Sequence, residues 1–150
     1  AQAAAALARL DAGAYRSFNM VVGDRTGAWF VRGLGAGRPD AWRLEAGIHI
    51  VTAHDPDDPA SPRGLAHLPR FRDAPAPDPA HGDWCAWTAL LADTGGGDTA
   101  INVPVRNGFG TVCSSLAALP DAGAPVWLFA AGPPDVAPFR PVALPAMPAG

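Results

Sequence analysis

Arg106-Asn107-Gly108-Phe109-Gly110-Thr111-Val112-Cys113-Ser114-Ser115-Leu116 is the stretch on which the fold reading turns. It gathers Gly108, Gly110, three hydroxyl residues and Cys113, and is followed by the most apolar run of the chain, Val126-Trp127-Leu128-Phe129-Ala130. Read as a strand from Thr111 to Leu116, it places Thr111, Cys113 and Ser115 on one face and Val112, Ser114 and Leu116 on the other. Leu119-Pro120-Asp121-Ala122-Gly123 is a turn, so Val126 to Ala130 is expected to return antiparallel beside it. Polar residues on such a strand are costly unless hydrogen-bonded or used.

Phe139-Arg140-Pro141-Val142 fits a last edge strand, because Pro141 cannot donate to a ladder on both sides. Upstream, Ala100-Ile101-Asn102-Val103 reads as a short edge strand. Asp83 is placed to cap a helix carrying Trp84, Trp87 and Leu91 on one stripe. Ser61-Pro62 is an N-cap and first-turn pair for a helix from Arg63 to Leu68, stopped by Pro69. His67 on that helix reads as a surface residue.

The N-terminal half opens with strong helix formers from Gln2 to Leu10, ending before Gly13 as a C-terminal cap. A hairpin follows: Phe18, Met20 and Val22 alternate with polar or smaller neighbours, Asp24-Arg25-Thr26-Gly27 turns, and Trp29 to Arg32 returns. Asn19 is unusual inside a strand. It is either a solvated edge amide or a donor toward a ligand or reacting group. Trp42-Arg43-Leu44 and Gly47 to Thr52 read as a further strand pair. His54-Asp55-Pro56-Asp57-Asp58 admits an acid-base or metal reading, against which its prolines favour turns and caps. Gly33-Leu34-Gly35-Ala36-Gly37 lacks the dinucleotide spacing and leads into Pro39, so it is a turn.

These elements sum to an α+β class with mostly antiparallel sheet, as a single domain over 1–150 with a frayed tail from 143 to 150. The 150 residues are 49% hydrophobic, enough for a core. No run approaches the roughly 18 apolar residues of a membrane span, and no signal peptide opens the chain. A net charge of -3 argues against nucleic acid. All 11 basic residues are Arg, which reads as coding bias. Cys85 and Cys113 give no disulfide framework and no metal spacing, and read as two buried free thiols in a reducing compartment. A mid-strand Cys113 is a weak nucleophile candidate, so the residues alone supply no catalytic set, no metal site and no cofactor.

Three segments carry a resemblance. Tyr15-Arg16-Ser17-Phe18-Asn19-Met20, with Asp24, is similar to the Y-x-x-F-N-L-x-x-x-D stretch of the NRDE family, also called the transport and Golgi organisation 2 family. Gly47 to Asp55 with Ser61-Pro62-Arg63 resembles its G-x-x-x-x-S/T segment and following S/W-P-R/K helix. Phe109 to Ser115 resembles its Y-G-T-R-x-S-S/T motif, with Val112 in the arginine position. The resemblance implies an incomplete N-terminal-nucleophile (Ntn) hydrolase-like αββα sandwich in a cytoplasmic protein, of which this chain is the C-terminal part. The Met-Cys start and the Asn-Arg-Asp-Glu signature would lie upstream, so a missing N-terminal segment is one expected partner. It implies ligand handling, with haem or an acyl lipid as the small molecule. Phe18, Asn19, His54, Gly110, Thr111 and Ser114 are the expected ligand-binding residues. The alternative is an amide or acyl hydrolase whose nucleophile lies upstream, with Asn19 as an oxyanion donor. His49, His54 and His67 are the available axial haem ligands, without a haem-attachment signature to support them.

Overall fold

The structure, a computed structural model, describes residues 2–144. Of the tail expected to fray, 145–150 lie outside the described residues, and Ala143 and Leu144 have no regular structure. The class is α+β: the described residues form three α-helices and two three-stranded antiparallel sheets. The chain divides into two compact units, Ala1–Pro69 and Arg70–Gly150.

In the first unit, α1 (Gln2–Leu7) is shorter than its helix-forming sequence predicts. Arg9 and Leu10 bond to carbonyls three residues back, which tightens and ends the helix. Asp11 then accepts from Gly13 N at 2.9 Å, so Gly13 belongs to a 3-10 turn and is not the helix cap. The expected hairpin forms as β1 (Phe18–Asp24) and β2 (Gly27–Gly33), with Asp24 opposite Gly27. The central strand β2 buries Phe30 and Val31 completely on its two faces. The ring of Phe18 covers the cross-strand Gly33, where any Cβ would collide with it.

β3 (Asp40–Arg43) pairs with β2, and Gly47 to Thr52 does not join it as a strand. Part of that segment's backbone bonds to Asp57 and Asn19 instead. Asp57 accepts from Ile50 N at 2.8 Å and its own N–H returns to Ile50 O at 3.1 Å. The helix α2 (Pro62–Asp73) starts as its sequence predicts, with Ser61 Oγ accepting from Gly64 N at 3.1 Å. It is not stopped by Pro69, which sits inside it. The carbonyl that proline leaves without a helical donor belongs to Leu65, whose side chain is exposed, so water can satisfy it. His67 is buried at 2% exposure, opposite to the surface position expected.

In the second unit, α3 (Cys85–Ala92) begins where Asp83 accepts from Cys85 N at 3.0 Å. Trp84 is buried, and Trp87 meets Phe71 edge-on at 5.3 Å. β4 (Ser114–Ala118), β5 (Val126–Ala130) and β6 (Arg140–Pro141) form the second sheet in the order β4-β5-β6. Ser114 stands opposite Ala130 and Leu116 opposite Leu128, so the antiparallel return is as expected. The strand starts at Ser114, not at Thr111. Residues 106–111 upstream are hairpin, and Ala100 to Val103 is not a strand, its Asn102 being buried at 1% exposure.

Candidate functional site

Three of the six expected ligand-binding residues, Phe18, Asn19 and His54, line one open cleft of about 530 Å³ in the first unit. The cleft lies where β1 begins and β2 ends. Asn19, Arg32 and Asp40 stand opposite one another across the three strands, so their side chains form one polar row on one face. This row holds the 52–55 loop against the sheet. Asn19 Nδ2 donates to Thr52 O at 3.0 Å and to His54 O at 2.9 Å. Arg32 reaches Asp55 Oδ2 at 2.6 Å through one nitrogen and Asp40 Oδ2 at 3.0 Å through another.

Neither expectation for Asn19 describes what it does. It is not a solvated amide, and both hydrogens of its Nδ2 are engaged by main-chain carbonyls, so none remains for an oxyanion. It builds the cleft wall by fixing the loop. Arg32 is committed through its two terminal nitrogens, while its Nε is buried without a partner. Its guanidinium lies 5.5 Å over the Trp42 ring and is held more strongly basic than usual by Asp40 and then by Asp55. A cation already shared by two carboxylates attracts a further anion weakly.

The rest of the loop follows the turn-and-cap reading. Asp58 Oδ1 accepts from Ala60 N at 2.7 Å, and Asp57, at a positive φ of 58°, pairs with His49 at 2.6 Å. Thr52 Oγ1 accepts from His54 N at 3.2 Å and meets Ser61 Oγ at 3.1 Å. His54 turns Nδ1 toward Asp58 Oδ2 at 3.7 Å, with its side chain 43% exposed. The cleft therefore offers one half-exposed imidazole, two carboxylates, Asp55 and Asp58, and an apolar rim of Phe18 and Leu34. Sequence reasoning missed Arg32 as a cleft residue. A turn from Asp24 to Gly27 pairs position 19 with position 32, and that pairing was the usable signal.

Gly110, Thr111 and Ser114 belong to the second unit, where the first two are structural. Arg106 and Phe109 exchange both backbone bonds, at 2.8 and 3.0 Å, around Asn107 and Gly108 at φ of 52° and 79°. Two positive values identify a type I′ turn, the geometry that Asn-Gly favours. A Cβ on Gly110 would sit 2.7 Å from Val105 Cα, so the backbone there tolerates only glycine. Thr111 donates its N–H to Val103 O at 2.9 Å, and its Oγ1 accepts from Val103 N at 2.9 Å. Ser114 opens β4, and Ser115 Oγ accepts from Trp127 Nε1 at 3.3 Å.

Both cysteines are exposed, contrary to the buried thiols expected. The hydrogen bond to Asp83, reinforced by its negative charge, pushes the Cys85 thiol up, away from the thiolate a nucleophile needs. No cluster of three potential metal ligands forms among the described residues, and none of their helices is long and apolar enough to cross a membrane. Comparison with protein-family models, curated proteins and solved structures finds no match to this chain.

Proposed function

We propose that the chain is the ligand-handling part of an NRDE-type, Ntn-hydrolase-like protein of the cytoplasm, acting through the cleft beside β1. The observation that carries this reading is the meeting of Phe18, Asn19 and His54, separated by 36 positions in sequence, on one cleft whose loop is fastened to the sheet. Cleft chemistry selects among the ligands that the resemblance implies. Asp55 and Asp58 face it, and the one guanidinium is already shared with Asp40 and Asp55. Haem propionates would meet like charge there. A neutral acyl group, an amide or ester, instead finds His54 at its polar end and Phe18 and Leu34 along its chain.

Titration of the chain with a fluorescent long-chain acyl amide, beside a haemin titration followed by visible absorbance, tests this. Saturable binding of the amide, weakened by Leu34→Asp at the exposed rim, is the expected result. Tighter haemin binding, or amide binding indifferent to Leu34→Asp, would rule the reading out.

A hydrolytic reading has one observation in its favour, the His54–Asp58 pair, which could orient an imidazole toward a carbonyl. Turnover of the acyl amide lost in His54→Gln with binding retained would select it.

A further inference from the structure

We propose that Asn107-Gly108 is a site of spontaneous covalent modification, in which the Asn107 amide is lost through a cyclic imide and the hairpin it turns is opened. The chain carries three asparagines, and the structure sets them apart. Asn19 and Asn102 precede Met20 and Val103, whose side chains crowd the following amide nitrogen, and each donates its Nδ2 hydrogens to oxygen acceptors. Asn107 is exposed, sits at a loop tip, and precedes a glycine that places nothing around its nitrogen.

The chemistry balances with water alone. The Gly108 nitrogen gives its proton to solvent base and attacks Cγ of Asn107. The new C–N bond closes a five-membered imide as the Cγ–Nδ2 bond breaks and ammonia leaves. One water then opens the ring. Cleavage of the Cγ–N bond returns the ordinary main chain with an aspartate at position 107. Cleavage at the former main-chain carbonyl leaves an isoaspartyl linkage, in which the chain runs through Cβ and Cγ.

The hairpin gates this reaction. The imide requires a torsion about the Cα–C bond of Asn107 that a type I′ turn does not hold, so closure proceeds from the opened tip. Tips open at low free energy, and the two Arg106–Phe109 backbone bonds set how low here. The aspartate product can re-form the turn, since Asp-Gly also suits it, but the isoaspartyl product cannot. An isoaspartyl linkage adds one main-chain carbon to a two-residue loop whose pairing depends on its length. The contact of Gly110 with Val105 and the pairing of Thr111 with Val103 lie directly below it.

The test is incubation of the full chain at neutral and mildly alkaline pH, followed by peptide mapping that distinguishes amide, aspartate and isoaspartate at all three positions. Conversion is expected at Asn107, faster at the higher pH and with isoaspartate among the products, while Asn19 and Asn102 persist. Gly110→Ala, which forces Val105 away, should raise the rate about tenfold, equivalent to about 1.4 kcal/mol of lost turn stability. Thr111→Val should raise it less and keeps the test open where Gly110→Ala does not fold. Asn107 persisting as long as Asn19 and Asn102, aspartate as the only product, or a rate unchanged by both variants would overturn the proposal.

Discussion

Asn19 and Asn102 hold down an irregular segment in each of the two units, and they differ in how much water they keep. Asn19 is partly exposed and bonds two carbonyls of one loop. Asn102 is 1% exposed, donates to Ala92 O at 3.3 Å and to Asp135 Oδ1 at 2.6 Å, and leaves its own Oδ1 buried without a partner. Its main-chain N–H also bonds Asp93 O at 3.2 Å, at the C-terminal end of α3. One residue type thus serves as a loop strap beside a cleft in the first unit and as a buried junction in the second. The energetic expectation follows from burial. Groups stranded away from water cost more than groups that water can reach.

Asn102→Ala should therefore be the most damaging change, by about 3 kcal/mol, because it empties a site that is 1% exposed, leaving a cavity, and removes the bonds that tie this segment to Asp135 and Ala92. Urea unfolding measures it as a lowered midpoint at unchanged slope. Asn19→Ala removes as many bonds, yet Thr52 and His54 can turn to solvent. A loss of about 2 kcal/mol is expected, seen first as faster hydrogen exchange of the amides from Thr52 to Asp58. Equal losses at the two sites would show that burial does not separate them. Thr111→Val deletes a single acceptor, that of Val103 N, at about 1 kcal/mol.

The same contrast explains what could be read in advance. Both sheets were legible where alternation and turn chemistry agreed: β1 with β2 around Asp24 to Gly27, and β4 with β5 around Leu119 to Gly123. The α2 start was legible because Ser61-Pro62 carries its own local capping chemistry. Segments fastened by distant side chains were not. Gly47 to Thr52 has strand composition, but Asp57 and Asn19 take its backbone groups. Ala100 to Val103 has the same appearance, and Asn102 anchors it instead. The Asn107-Gly108 turn is a different case. Its dipeptide signal was local and sufficient, and a strand reading of the polar run from Thr111 obscured it. For the cleft, Phe18, Asn19 and His54 were legible as residues, whereas the role of Asn19 needed its partners 33 and 35 residues away.

Two His–Asp pairs draw the comparison finest. His49 and Asp57 meet at 2.6 Å with side chains 24% and 25% exposed, while His81 and Asp78 meet at 2.7 Å with side chains 81% and 53% exposed. The distances differ by only 0.1 Å while solvent exposure differs widely, so the second pair is the one that salt should screen. The His81 hydrogen bond holds the Asp78 carboxyl below the ordinary carboxylate range. A carboxyl lowered on folding contributes stability that is present above its unfolded value and disappears as pH falls through the lower folded one. The effect is expected to be the smallest of the series, visible in an NMR titration of the Asp78 carboxyl carbon before any shift in melting. His81→Ala should return that carboxyl toward the ordinary range, and molar salt should move wild type in the same direction. A titration indifferent to both would mean that the loop backbone, through the Asp78–Asp83 bonds at 2.8 and 2.9 Å, sets the carboxyl's environment by itself.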